Sequence, residues 1–234
     1  MMKIMHLQLF FLIGILVGIS SCKNSKNEID TISQINLTKF VNPFIGTGGH
    51  GHTYPGATVP FGMLQVSPDN GTSGWDWCSG YHYSDSITIG FSHLHLSGTG
   101  IGDLADIRLM PINKKVDLAA EVRTRDDVPY KSLYSHNEEN ASPGYYSVQL
   151  KDFNIKAELT SNLRTGFHKY TFAENDTQSV VIDLGFAINW DKTTASKISV
   201  IDAATISGFR HSTGWAKIQK VFFVARFSKP IEKY

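Results

Sequence analysis

Cysteine, net charge and helical periodicity are all scarce in this chain. Only Cys22 and Cys78 occur among 234 residues, so no framework of internal disulfides can hold it together. Charged residues make up 18%, against about 25% for an average globular domain. The 22 basic and 21 acidic side chains nearly cancel, to a formal +1, which leaves no basic footprint to displace counterions and argues against nucleic-acid binding. No stretch keeps a capped, apolar helical period over several turns, so an α-helical body is not expected. The 41% of hydrophobic residues is enough for one ordinary globular domain with a sizeable core.

Long apolar runs are missing too, except at the start. After Lys3 an apolar run extends from Leu7 to Val17, broken only by Gln8 and Gly14, and leads into Ile19-Ser20-Ser21-Cys22. The run is shorter than the roughly 20 residues that span a bilayer. Small residues directly before a cysteine resemble a bacterial lipoprotein signal. The expectation is a signal peptide over residues 1–21, acylation of Cys22, and a flexible tether over 22–39, where Asn, Ser, Lys and Glu dominate. An ordinary secretory signal is the alternative, and both readings export the protein. The lipid would tie it to the outer membrane, facing either the periplasm or the cell surface. Lipidation would also occupy the Cys22 sulfur, leaving Cys78 alone.

From about Phe40 onward the pattern is all-β. Tyr146-Val148-Leu150, Ile155-Ala157-Leu159, Val180-Ile182-Leu184 and Val221-Phe223-Ala225-Phe227 alternate apolar side chains at strand spacing. Further strands are expected at 63–66, 87–91, 107–110, 165–172 and 205–210. Ser142-Pro143-Gly144, Lys151-Asp152-Phe153-Asn154 and Glu174-Asn175-Asp176 supply turns. Many short strands joined by turns define an antiparallel β-sandwich over 40–234.

One absence is local. Residues 41–107 contain no Lys or Arg, where a proportional share would be about six, yet they hold 13 of the 20 glycines and five of the nine histidines. A phosphate or other anion site would want basic side chains or a nest. Trp75 and Trp77 with Asp, His and Asn around them suit a sugar instead, whose apolar face lies on an indole while its hydroxyls take directional hydrogen bonds. Glycines serving turns and tryptophans filling a core would explain the same composition.

Two clusters carry the candidate chemistry. The first, Gly46 to Gly56, holds Gly48, Gly49, His50, His52 and Tyr54; its glycines bring backbone close to a ligand without opening a helix for phosphate capture. The second, Gly74 to Asp85, holds Trp75, Asp76, Trp77 and His82. His50 and His52, with His93 and His95, form two His-x-His pairs, so a four-histidine metal site is conceivable on extended backbone. A cupin-like barrel would want a Glu shortly after the second histidine, where Gly56 and Ala57 stand. Cys78 has no neighbouring cation in sequence to activate it. Asp69, Asp76, Asp103 and Asp106 could supply the acid and base of a glycosidase, but their spacing selects no pair. No catalytic residue is therefore assigned. The substrate-binding candidates are Gly48, Gly49, His50, His52, Tyr54, Trp75, Asp76, Trp77, His82, His93 and His95.

Val41-Asn42-Pro43-Phe44-Ile45-Gly46-Thr47-Gly48, His50-Gly51-His52-Thr53-Tyr54-Pro55-Gly56-Ala57, Cys78-Ser79-Gly80-Tyr81-His82-Tyr83-Ser84-Asp85 and Gly90 to Gly100 resemble the N-terminal domain of glycoside hydrolase family 92. The resemblance runs from about Phe40 to the last residue. It implies calcium-dependent, exo-acting, inverting α-mannosidases exported by bacteria that consume mannose-containing glycans. Their N-terminal sandwich is similar to the galactose-mutarotase-like supersandwich and pairs with a C-terminal (α/α)6 domain. In the family that helical domain carries the acid, the base and most of the calcium shell. The sandwich would contribute His50 to Tyr54, Trp75 to Trp77 and the His93 to His95 segment. No helical domain follows in this sequence, so we expect no metal on this chain alone and an exposed, apolar sandwich face. A non-catalytic glycan-binding lipoprotein is the alternative function.

Overall fold

The computed structural model describes residues 36–71, 74–119, 124–174, 177–188 and 191–234. The expected signal peptide, Cys22 and most of the tether lie outside the described residues. Contacts divide the chain into Met1–Phe40 and Val41–Tyr234. Of the first unit only a short 3-10 turn, Leu37–Phe40, is described with Asn36.

Val41–Tyr234 is built from antiparallel strands, as the alternating runs dictate. In chain order they are β1 (Ala57–Thr58), β2 (Gln65–Asp69), β3 (Ile87–Thr88), β4 (Gly90–Ser92), β5 (Arg108–Ile112), β6 (Ser132–Leu133), β7 (Glu139–Ser142), β8 (Tyr145–Leu150), β9 (Ile155–Ser161), β10 (Gly166–Thr171), β11 (Ser179–Asp183), β12 (Lys192–Asp202), β13 (Thr205–Thr213) and β14 (Gln219–Arg226). One sheet has the order β1-β2-β4-β5-β11, a second β10-β9-β8-β7, a third β12-β13-β14, and β3 pairs with β6.

The core lies where the first two sheets face each other. Val66, Phe91, Met110 and Ile112 from one meet Tyr146, Val148, Leu150, Ile155, Ala157 and Leu159 from the other. Period-two alternation is the cause: in β9 Ile155, Ala157 and Leu159 are buried while Lys156 and Thr160 are exposed. Pro143-Gly144 turns β7 into β8, with Gly144 at φ 77, and Asn154 closes the next turn at φ 49, a region Asn tolerates. Phe153, inside that turn, plugs the core.

The expected strand 87–91 divides into β3 and β4. Gly90 adopts φ 137 and the Thr88 hydroxyl donates to Asp69 O at 3.1 Å; there the chain leaves β6 and joins β2 and β5. The third sheet is attached by polar groups. Arg210 of β13 is buried and donates to Asp106 Oδ1 at 2.6 Å and Asp191 Oδ2 at 2.5 Å, and also to Thr193 Oγ1 and Phe186 O. Burial raises the Asp106 carboxyl's pKa, and Arg210 offsets part of that shift. Asp103 accepts from Trp215 N at 2.9 Å and Gln219 Nε2 at 2.9 Å. Val221, Phe223 and Ala225 are half-buried, whereas Phe222 and Val224 on the other face of β14 are exposed.

Candidate functional site

Three loops beside neighbouring strands form one block: the segment before β1, the segment between β2 and β3, and the segment after β4. Gly98 N donates to His52 O at 2.7 Å, Cys78 Sγ to Thr99 O at 3.0 Å, and Ser79 Oγ to Thr53 O at 3.0 Å. Close backbone approach explains two of the glycines. A Cβ on Gly51 would stand 2.1 Å from Gly46 O, and one on Gly100 would stand 2.7 Å from Trp75 Cζ2.

This block displays Trp75. A 3-10 turn, Trp75–Trp77, carries it, its indole Nε1 donates to Gly100 O at 2.8 Å, and the residue is 56% exposed. His52 meets the indole edge-on at 4.2 Å between centroids and His50 lies tilted at 5.5 Å. Asp76 Oδ1 lies 2.6 Å from His50 Nδ1 and 3.3 Å from His52 Nε2. The second contact lacks hydrogen-bond geometry, and His52 Nε2 is buried without a partner. The hydrogen bond from His50 holds the Asp76 carboxyl below its usual range. His52 adopts φ 53, a left-handed conformation uncommon outside glycine that here turns a buried imidazole toward Trp75 and Asp76.

The structure thus brings His50, His52, Trp75 and Asp76 together. Gly48 and Gly49 are exposed beside them. Trp77 and His82 form a second, mostly buried pair: their rings stack at 4.4 Å, Trp77 Nε1 donates to Asp85 Oδ2, and His82 Nε2 lies 3.2 Å from Gly49 O. Through His82 this pair contacts the Gly49 backbone. Tyr54 is half-buried, with its ring 5.3 Å from His95 and its hydroxyl 3.4 Å from Thr58 Oγ1; burial raises its pKa.

His93 and His95 join neither pair. His95 is buried, its Nδ1 donating to Gln65 O at 2.7 Å and its Nε2 lying 3.0 Å from Asp69 Oδ1 and 2.9 Å from Ser92 Oγ. Serine and aspartate share one ring nitrogen, so this is no nucleophilic triad, in which the acid holds the other nitrogen. His93 donates from Nδ1 to Ile107 O at 2.6 Å and meets His168 of β10 at 3.0 Å. The two His-x-His pairs therefore diverge. Among the described residues no group of three or more His, Cys, Asp or Glu side chains is disposed to hold a metal. Calcium needs six to eight oxygen ligands, and the carboxylates here do not fit it: Asp69, Asp103 and Asp106 are buried and spent on His95, Trp215 with Gln219, and Arg210. Of the four aspartates considered, only Asp76 reaches solvent. Cys78 is buried, which raises its pKa.

Several groups had no local sequence signal. Arg125 pairs with Asp85 and donates to Asn70 O, bringing a cation to a stretch that has none in sequence. His136 stacks on Tyr83 and is held by Glu139.

An all-β sandwich bearing an aromatic and imidazole patch on its loops is a class shared with known proteins. Residues 40–234 match the glycosyl hydrolase family 92 N-terminal domain, and the chain belongs to that family. A solved family 92 α-mannosidase from Bacteroides thetaiotaomicron, in complex with mannoimidazole, is 42% identical at a TM-score of 0.79, over 85% of this chain and 26% of that one. A family 92 inverting mannosidase from the same organism is 25% identical at a TM-score of 0.60, over 76% and 24%. A secreted glycosidase of Arthroderma benhamiae is 29% identical over 62% of this chain and 18% of its own length. The chain thus spans about a quarter or less of the length of these relatives.

Proposed function

We propose that this chain is the substrate-contacting sandwich of an exported α-mannosidase, binding mannose-containing glycans and working with a catalytic helical domain that hydrolyses terminal α-mannosides with inversion. The observation that carries this reading is the exposed Trp75 face flanked by His50 and Asp76: an apolar platform, a fixed acceptor and an imidazole within one sugar's reach. Asp76, held ionised by His50, accepts from hydroxyls. The indole, anchored to Gly100, takes the apolar ring face and excludes water from it. Inversion requires an acid and a base about 6.5–9.5 Å apart with a water between them. In this proposal both come from the partner domain, as does calcium, and the sandwich binds and orients. The α-mannosidase and inverting-mannosidase relatives support the reading. Export by an N-terminal signal, with an anchor on Cys22, is proposed from the residue 1–22 pattern and is in keeping with the secreted relative.

Titration calorimetry of the wild-type chain and Trp75→Ala with mannose and α-mannobiose tests the binding role. Binding at millimolar or tighter affinity, lost in Trp75→Ala at an unchanged melting temperature, is expected; no saccharide binding by wild type sinks the proposal. Turnover of an aryl α-mannoside by this chain, with or without calcium, would mean that the acid and base have been misplaced.

A further inference from the structure

The near-neutral charge of the chain conceals a segregation. Residues 41–107 hold no Lys or Arg, whereas residues 192–226, which span β12, β13 and β14, hold six basic residues against one acidic residue, Asp202. Arg210 is spent inside the fold on Asp106 and Asp191. The other five, Lys192, Lys197, Lys217, Lys220 and Arg226, are all exposed.

Strand register decides where these cations point, because residues paired across an antiparallel ladder share a face. Lys192 pairs with Thr213, and Lys197 with Phe209, which pairs in turn with Phe222. Lys220 pairs with His211, Val224 with Ser207, and Arg226 with Thr205. The β13 members of these pairs are alternate residues of one strand, so the four strand cations, Phe222 and Val224 lie on one face of the third sheet. Buried Ile206, Arg210 and Ser212 alternate with them and occupy the opposite face.

The outer face therefore sets Lys192, Lys197, Lys220 and Arg226 around an apolar strip. Phe222 is 67% exposed and Val224 73%, and the rings of Phe209 and His211 lie against Phe222 with centroids 6.1 and 5.8 Å away. The turn that joins β13 to β14 adds exposed Trp215 and Ile218, with Lys217 between them. Asp202, in register with Thr205 at the Arg226 end, is the one carboxylate that these strands bring to this face.

We propose that the outer face of the third sheet docks on the surface of an anionic lipid bilayer. The cations answer the headgroup phosphates, while Phe222 and Val224 enter the boundary between headgroups and acyl chains. Nucleic acid fits this face less well, since a single strand needs open rings to stack on. Val224 and Ile218 offer no ring, and Phe209 is already packed against His211 at 4.6 Å. None of His50, His52, Trp75 and Asp76 belongs to this sheet, so the docking face is separate from the sugar patch, and it does not depend on the anchor proposed at Cys22.

The test is cosedimentation of residues 23–234, which keep the whole compact unit Val41–Tyr234 and lack the apolar run near the start. Vesicles of phosphatidylcholine alone are compared with vesicles in which about a third of the lipid is phosphatidylglycerol. Binding is expected only to the anionic vesicles, with release in about 0.5 M salt. Lys197→Gln and Lys220→Gln should each weaken it about fivefold, and Phe222→Ser about tenfold, with thermal melts confirming that each variant folds. No binding, equal binding to both vesicle types, or variants that bind like wild type overturns the proposal. Tighter binding of a single-stranded oligonucleotide than of the anionic vesicles overturns it as well, by making the face a polyanion site.

Discussion

Lowering the pH from 7.5 to 5.5 should weaken this fold chiefly through one half-buried pair, His93 and His168. Ile107 O can only accept, so His93 Nδ1 donates to it, and in the neutral ring Nε2 is left as an acceptor. His168 Nε2, 3.0 Å away, is then the donor, and His168 Nδ1 accepts from Tyr170 OH at 2.8 Å. Both rings are neutral in this arrangement, and burial lowers both pKa values, that of His168 well below the ordinary 6.5. His95, which opposes protonation of His93, and Asp69, which favours it, are the other charged neighbours. With folded pKa values depressed, the unfolded chain takes up protons first, so the stability is fully present above about pH 6.5 and is lost as the pH falls below it. For each histidine that stays neutral the loss at pH 5.5 is about 1.4 kcal/mol, and about 2.8 kcal/mol for both. Protonation within the fold gives no escape, because it would set two N–H donors face to face. Urea unfolding at constant ionic strength, at pH 7.5, 6.5 and 5.5, measures this above the range where carboxylates titrate. His168→Gln keeps an N–H donor toward His93 and removes one titration, so it should lose about half as much stability as wild type over the same window. Equal losses in the two proteins would refute the reasoning.

Arg210→Met should cost about 3–5 kcal/mol in urea unfolding, because Asp106 and Asp191 are left buried without their cation; a loss below about 1 kcal/mol would mean that the third sheet is held by something else. Phe91→Ala should cost about 3–5 kcal/mol, whereas Phe222→Ser, at a position 67% exposed, should stay within about 0.5 kcal/mol; the reverse ranking would misplace the core. Gly100→Ala should displace the Trp75 indole, because its Cβ would stand 2.7 Å from Cζ2. A shifted tryptophan fluorescence spectrum at a nearly unchanged unfolding midpoint is the expected result, and an unchanged indole signal contradicts the contact.

What the sequence made legible follows from where each element sits. β8 and β9 were readable because one face is in the core and the other in water, so burial wrote itself as alternation. β12, Lys192–Asp202, carried no such mark: it is an edge strand, exposed along most of its length, and its residues answer to backbone pairing with β13. The β3–β4 break depended on a partner change at Gly90 that no local window contains. At the site, Trp75, Asp76, His50 and His52 were visible as members of dense local clusters. His95 shares their composition but is turned inward to Asp69. His136 and Glu139 stand in ordinary sequence and reach Tyr83 through the pairing of β7 with β8 and the turn before it, so nothing short of the fold could join them to it.

The missing cations of residues 41–107 acquire a sharper meaning in space. Two of the acidic side chains in that stretch receive arginines from outside it, Asp85 from Arg125 and Asp106 from Arg210, so a local deficit of positive charge is made good in the interior, where an unpaired carboxylate would be costly. At Asp76 it is not: its carboxylate bonds the imidazole of His50, and the His52 ring stands beside it. The bond from His50 holds the carboxyl below its usual range, so it carries its full charge at neutral pH. A phosphoryl group placed there would meet like charge with no guanidinium to answer it, while a hydroxyl would find an acceptor beside an open indole face. The electrostatics of this patch therefore disfavour anions even though the chain as a whole is nearly neutral, and under the proposed sugar-binding role the preference for an uncharged, hydroxyl-rich ligand would reside in Asp76 and its neighbours rather than in the net charge of the chain.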